Sequence, residues 1–243
     1  SDLFSHADCV LTCVSADKDL IEVVNSFKDL LKPGSVVIDC STVSTETAKT
    51  IAVDLAKLSI DFMDAPVSGG VEGAKNGTLS VMVGASLKTY KRADDLFHSI
   101  GSQVTFMGKI GQGQATKAVN QVLVAGVAQA VTETMAFAEK CNLPIEKVIE
   151  VLSAGAAGNW FLDKRGLTMS KDEFEKGFKL ELLHKDLEII KKGLDLKNAE
   201  SQIVNKGIQE YGELMKAGDG HLDISALIKL KRIQLHNEDD TNE

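Results

Sequence analysis

A chain of 243 residues is long enough for one large domain or two small ones with a sizeable core. Hydrophobic residues make up 44% and charged residues 26%, with only three prolines, which excludes a disordered or fibrous protein. Lys and Arg total 27 against 35 Asp and Glu, and the net charge of -8 gives no electrostatic reason to expect nucleic acid or an anionic membrane as partner.

Short β-branched or apolar runs bounded by turn residues occur at Asp8–Val14, Ser35–Cys40, Asp61–Val67, Leu79–Gly84 and Gln103–Gly108, and each predicts a strand. Helical patterns separate the first three. Between Lys18 and Leu31, the residues Leu20, Ile21, Val24, Phe27, Leu30 and Leu31 form one stripe, which Lys32-Pro33-Gly34 stops. Ser44–Leu58 opens with Ser44, Thr45 and Glu46, which suit a helix N-terminus. Strand, helix, strand, helix, strand implies parallel pairing through right-handed crossovers, hence an open α/β sheet.

After Gly108 the pattern changes. Gln114–Cys141 has no proline and one glycine, Gly126, and its side chains are mostly Ala and Val, which predicts a long helix enclosed by protein on most sides. Lys117, Asn120, Gln121, Gln129 and Glu133 interrupt it, so a transmembrane span is not expected. Helical periodicity continues through Pro144–Leu152, Leu180–Leu196 and Ala199–Met215. A turn follows at Ala217–Gly220, then a last helix from about Asp223 and a charged tail, His236–Glu243, expected to fray. The expected division is an α/β part over 1–112 and an all-α part over 113–243.

Cys9, Cys13, Cys40 and Cys141 show no C-x-x-C and no Cys/His ligand spacing; three of them lie in the apolar strand runs and read as reduced core thiols. His6, His98, His184, His221 and His236 are scattered, so no metal site is expected. There is no basic, apolar leader pattern, and the expected compartment is the cytoplasm, or an organelle after leader removal. No G-x-G-x-x-G lies between a strand and a helix, so either the chain binds no nucleotide or the first half of its sheet lies outside this sequence.

Two segments carry candidate chemistry. Asp64-Ala65-Pro66-Val67-Ser68-Gly69-Gly70 ends a strand with bare backbone N–H groups and a hydroxyl, a donor set that suits an anion. Lys117, Asn120 and Gln121 place an ammonium and two amides on an otherwise apolar helix, with Lys117 and Asn120 three apart on one face.

Together, Val67–Gly84 (VSGGVEGAKNGTLSVMVG), Ile38–Val43 (IDCSTV), Gly113-x-x-x-Lys117-x-x-Asn120 and Lys185-Asp186-Leu187 resemble the β-hydroxyacid dehydrogenases, which include 3-hydroxyisobutyrate dehydrogenase and tartronate semialdehyde reductase and, more distantly, 6-phosphogluconate dehydrogenase. The resemblance runs in order over essentially the whole chain. It implies a partial Rossmann-type, doubly wound sheet followed by an all-α C-terminal domain joined to it by a long central helix. It also implies NADP or NAD as cofactor, with a dinucleotide motif upstream of this sequence, and assembly as a homodimer or homotetramer.

By the same resemblance Lys117 is the acid/base and Asn120 its neighbour, while Ser68, Gly69 and Gly70 cradle the substrate carboxylate. Burial in an apolar helix is expected to lower the pKa of Lys117 into a useful range. Val14, Ser15, Thr42, Phe178 and Lys185 fall on the cofactor side, with a core position the alternative for Phe178, and Trp160 is expected to line the substrate end; Asp163-Lys164-Arg165 read as solvated charge, with pairing of a second carboxylate the alternative for Arg165. The implied reaction is hydride transfer between a small β-hydroxy acid and its semialdehyde or ketone. The alternative is a non-catalytic oligomerisation or regulatory fragment without the phosphate loop.

Overall fold

The computed structural model describes residues 2–175 and 177–236, and contacts divide the chain into two units, one up to Asn120 and one from Gln121. The charged tail expected to fray lies, beyond His236, outside the described residues.

The first unit contains, in order, α1 (Asp2–His6), β1 (Cys9–Thr12), α2 (Asp17–Phe27), β2 (Val36–Asp39), α3 (Thr45–Lys57), β3 (Asp61–Asp64), β4 (Val67–Ser68), α4 (Gly70–Asn76), β5 (Leu79–Gly84), α5 (Leu87–Ile100) and β6 (Gly101–Gly108). β1, β2 and β3 are parallel and in register, with Thr12 beside Asp39 and Asp39 beside Asp64. β5 and β6 are also parallel. Between these pairs the sheet reverses: β5 meets β3 antiparallel at Asp64 and Gly84, and the two-residue β4 folds back antiparallel on β5. Pro66 fits this reversal, because a proline breaks the run between β3 and β4.

Alternation along the strands explains the two layers. Val37 and Phe62 face one side and pack with Leu20, Val24 and Phe27 of α2 and with Ala48, Ile51 and Leu55 of α3. Their neighbours Ile38 and Met63 face the other side, with Val81, Val83 and Phe97 of α5. Helices on both faces of a largely parallel sheet make this an α/β, doubly wound arrangement. The predicted start of α3 holds: Ser44 caps it, its Oγ accepting the Thr47 N–H at 3.1 Å, an interaction of about 1 kcal/mol.

The cysteines depart from the expectation of core thiols. Cys40 is buried, but Cys9, Cys13 and Cys141 are exposed. Of these, Cys9 lies on β1, whereas Cys13 and Cys141 lie outside the strands.

α6 (Gln112–Lys140) follows β6 and continues into the second unit. By length and hydropathy alone α6 could cross a membrane, yet Ala125, Ala128, Val131 and Met135 are buried within the protein. It is less enclosed than its composition predicts, since Val119, Leu123 and Phe137 are exposed.

The second unit adds α7 (Ile145–Ala154), α8 (Trp160–Ser170), α9 (Leu180–Asp195), α10 (Gln202–Lys216) and α11 (Ile228–His236). Its core includes Leu183, Leu187, Val204, Tyr211 and Leu227, all inaccessible to solvent. A Cβ on Gly207 would stand 2.7 Å from Leu187 Cδ1, so glycine leaves room for this buried leucine between α9 and α10. In the same region Glu210 Oε1 accepts from Lys231 Nζ at 2.8 Å, Lys206 Nζ at 3.0 Å and Gln234 Nε2 at 3.2 Å, a buried polar knot between α10 and α11.

Candidate active site

In open α/β sheets the carboxyl ends of the parallel strands are where ligands bind, and here those ends are organised by two acids. Asp39 closes β2 and Asp64 closes β3; both are fully buried. Asp39 Oδ1 accepts from Thr12 Oγ1 at 2.9 Å, from Ser41 Oγ at 2.6 Å and from the Ser41 N–H at 3.2 Å. Ser41 Oγ in turn accepts the Val14 N–H at 2.8 Å. One carboxylate therefore fixes both the Val14–Ser15 loop and the Ser41–Thr42 loop, the first-unit residues implied for the cofactor. Val14 and Thr42 are half-buried and Ser15 is exposed.

Asp64 reaches the other way. Its Oδ1 accepts the Gly111 N–H at 2.7 Å and its Oδ2 the Gln114 N–H at 2.8 Å. These donors stand at the start of α6, where a helix has no partners of its own for its first amides. The fit leaves no spare room, because a Cβ on Gly84 would lie 2.5 Å from Asp64 Oδ1 and one on Gly113 would lie 2.5 Å from the Asp64 backbone oxygen. Gln114 then ties the helix to the neighbouring loop: its Nε2 donates to the Ser41 oxygen at 2.8 Å and its Oε1 accepts the Val43 N–H at 3.2 Å.

Burial raises the pKa of both acids. For Asp39 the hydrogen bonds from Ser41 and Thr12 oppose the shift without cancelling it. Asp64 is pushed up to about 6, against the pull of the Gly111 and Gln114 amides and with some help from the charge of Asp39. Cys40, beside Asp39, is pushed up to about 12, chiefly by burial, and is no candidate nucleophile at neutral pH.

Lys117 lies one turn beyond Gln114 and is buried, with only 7% of its surface accessible; Asn120, three residues on, is half-buried. Ser68 ends β4, and Gly69 and Gly70 follow with φ of +130° and +63°, a left-handed backbone that favours glycine. Nothing lies within 4 Å of where a Gly70 Cβ would point, so the backbone there faces open space. All five residues belong to the first unit.

Trp160, Phe178 and Lys185 belong to the second unit. Trp160 is exposed at the start of α8, and the Arg165 guanidinium lies 5.5 Å from its ring centroid. Arg165 also pairs with Asp223, Nε to Oδ2 at 3.6 Å, and the same Oδ2 accepts the Phe178 N–H at 2.9 Å. Arg165 is thus an anchored residue with a side chain 16% exposed, which corrects the expectation of solvated charge. Lys185 Nζ pairs with Asp186 Oδ1 at 3.0 Å, and Asp186 Oδ2 accepts from Gln121 Nε2 at 2.6 Å, so Lys185, Asp186 and Gln121 form one linked set within the second unit.

The sequence alone assigns no role to Asp39, Asp64 or Gln114. The available signal was an acid closing each of two successive apolar runs, VVID and DFMD, where an unpaired carboxylate is costly.

Comparison with known proteins agrees with this architecture. Residues 1–108 match the family described as the NAD binding domain of 6-phosphogluconate dehydrogenase. Residues 111–231 match that described as the NAD-binding of NADP-dependent 3-hydroxyisobutyrate dehydrogenase. The 2-hydroxy-3-oxopropionate reductase of Escherichia coli is 35% identical over 210 residues, covering 84% of this chain and 70% of the relative. The probable 3-hydroxyisobutyrate dehydrogenase-like 1, mitochondrial, of Arabidopsis thaliana is 33% identical over 242 residues, covering 96% of this chain and 72% of the relative. Among solved structures, 3-hydroxyisobutyrate dehydrogenase from Salmonella typhimurium superposes with a TM-score of 0.87 at 26% identity, covering 94% of this chain and 81% of that one. With both halves matched in order and relatives above 30% identity covered over more than two thirds of their length, the chain belongs to the 3-hydroxyisobutyrate dehydrogenase, or β-hydroxyacid dehydrogenase, family of NAD(P)-binding oxidoreductases.

Proposed function

We propose that this enzyme interconverts a small β-hydroxy acid and its semialdehyde or ketone, with Lys117 as the acid/base. The observation that carries this reading is the pair of hydrogen bonds from Gly111 and Gln114 to Asp64. They tie the segment leading to Ser68, Gly69 and Gly70 to the helical turn that precedes Lys117. The names of the two relatives above, a 2-hydroxy-3-oxopropionate reductase and a probable 3-hydroxyisobutyrate dehydrogenase-like protein, support a substrate of this class.

The nicotinamide ring, when bound, supplies the hydride acceptor or donor. Toward oxidation, the Lys117 amine takes the hydroxyl proton as negative charge builds on that oxygen; toward reduction, the ammonium returns it. Asn120, on the same face of α6, orients the hydroxyl. Ser68 Oγ–H and the backbone N–H groups of Gly69 and Gly70 donate to the substrate carboxylate, which fixes the reacting carbon. Val14, Ser15 and Thr42 suit the cofactor, at strand ends held by Asp39. The same reading assigns Phe178 and Lys185 to the cofactor and Trp160 to the substrate; support within the second unit is the grouping of Trp160 and Phe178 around Arg165 and Asp223.

A panel of hydroxyisobutyrate, glycerate, succinic semialdehyde and glyoxylate, each against NAD(H) and NADP(H), identifies the substrate. On the best pair, Lys117→Ala is expected to lower kcat by at least about 100-fold while NADH or NADPH fluorescence titration gives wild-type affinity. Turnover within about threefold of wild type would rule out the assignment.

A further inference from the structure

We propose that Asp64 is a positioning residue for Lys117: its ionised carboxylate holds the first turn of α6 in register with the Ser68–Gly70 loop, and so sets where the lysine amine stands. This rests on the acid/base reading of Lys117 given above.

The case is geometric. Asp64 is fully buried at the end of β3 and accepts two backbone N–H groups from one helical turn, one on each oxygen. Only the carboxylate satisfies both donors with acceptors. A protonated acid turns one oxygen into a donor, and an amide places an NH2 against an N–H. The surrounding glycines leave the turn no alternative seat, since Gly84 and Gly113 are packed so closely that a Cβ on either would overlap Asp64. Lys117 follows Gln114 by three residues, on the same side of the helix, so a loosened first turn moves the amine directly. The Asp64 segment reaches Ser68 within four residues, and one side chain therefore references both the proton-transfer group and the proposed anion seat.

Charged residues flank Asp64 on β2, α3 and α6. Asp39 stands beside it on β2 and disfavours its ionisation. Lys49 of α3 reaches Gly111 with its aliphatic stem, where a Gly111 Cβ would lie 3.1 Å from Cε. Lys117 is the next charge along α6, and β5 presents Gly84 and Met82, which carry none. With the Asp64 pKa pushed up to about 6, the cap changes state in mildly acidic solution.

The test uses the whole chain labelled with 15N and with 13C-lysine, followed by NMR between about pH 4.5 and 8. The amides of Gly111 and Gln114 are expected to titrate together with a midpoint near that of Asp64. The Lys117 Cε signal should follow them, and all three responses should vanish in Asp64→Asn. In turnover, Asp64→Asn should lose about tenfold or more in kcat with the cofactor KM within about twofold, and should lose the acid limb of the wild-type kcat profile. If Asp64→Asn does not fold, the wild-type titration decides alone. Amides that titrate while Lys117 does not, or a folded variant with wild-type kcat and pH profile, would overturn the proposal. Coupled titration in a chain that turns over no hydroxy acid would support positioning by Asp64 and count against the acid/base reading instead.

Discussion

Asp39 and Asp64 stand side by side on parallel strands β2 and β3, and their buried carboxylates serve different structures. Asp39 gathers the loops after β1 and β2 through Thr12 and Ser41, whereas Asp64 holds the start of α6. Burial is the main cause that raises both pKa values; the charge of Asp39 adds to the shift of Asp64, and that of Asp17 to the shift of Asp39. The arrangement persists because each carboxylate satisfies backbone or hydroxyl donors that lie buried with it.

Replacing Asp39 by Asn should not produce the usual loss from a buried polar change. Oδ1 keeps its three donors, while Oδ2 accepts no hydrogen bond from any described residue, so the variant mainly removes a buried charge. The folded-state pKa of Asp39 is raised, so its penalty is present above that pKa and is relieved as pH falls toward the unfolded value. Urea unfolding near pH 8 is expected to find Asp39→Asn as stable as wild type or more stable by about 1 kcal/mol. That difference should shrink as the pH is lowered; a loss that is independent of pH would contradict the assignment.

Gly113→Ala tests the packing at the start of α6. Its Cβ would lie 2.5 Å from the Asp64 oxygen, and the opposing atoms are backbone, which cannot swing aside. A loss of about 3 kcal/mol or more is expected in denaturant unfolding. Wild-type stability would mean that the turn shifts easily, which would also weaken the role given to Asp64.

Ser68→Ala removes one donor from the proposed carboxylate cradle and leaves the glycine backbone in place. A hydrogen bond to a charged group is worth roughly 1.5–3 kcal/mol, so KM for the hydroxy acid should rise about tenfold or more. Cofactor affinity should not change. Steady-state kinetics with both substrates varied separates this result from a general loss of activity.

In the second unit, Lys231→Met leaves Glu210 buried with only the half-exposed Lys206 and with Gln234, and should destabilise by about 3 kcal/mol. Adding Glu210→Leu should restore much of that loss, because the acid then no longer needs a partner. A double-mutant cycle by chemical denaturation measures the coupling, and additive losses would show that the pair is not a unit.

The sheet-then-helices plan was legible because its causes are local. Runs such as VVID and the stripe of Leu20, Val24 and Phe27 carry their periodicity in the chain itself, and Ser44 marks the start of α3. The reversal at β4 was not legible, since two residues are too few to show a period and antiparallel pairing depends on where β5 returns. Lys117 and the Ser68–Gly70 loop stood out as polar or glycine-rich breaks in apolar surroundings. Their support did not, because the bonds from Asp64 to Gly111 and Gln114 span 47 and 50 residues and leave no local pattern. Arg165 was misread for a similar reason: its anchors, Trp160 and Asp223, are near and far in sequence respectively, and only the second explains its burial.

The raised pKa values of Asp39 and Asp64 also reach the solvent. In mildly acidic solution, between the ordinary carboxylate range and about pH 6, the native chain binds hydrogen ions that the unfolded chain has released. Refolding in a weak buffer there draws acid out of the medium through these two groups, and the heat of folding depends on the ionisation enthalpy of the buffer chosen.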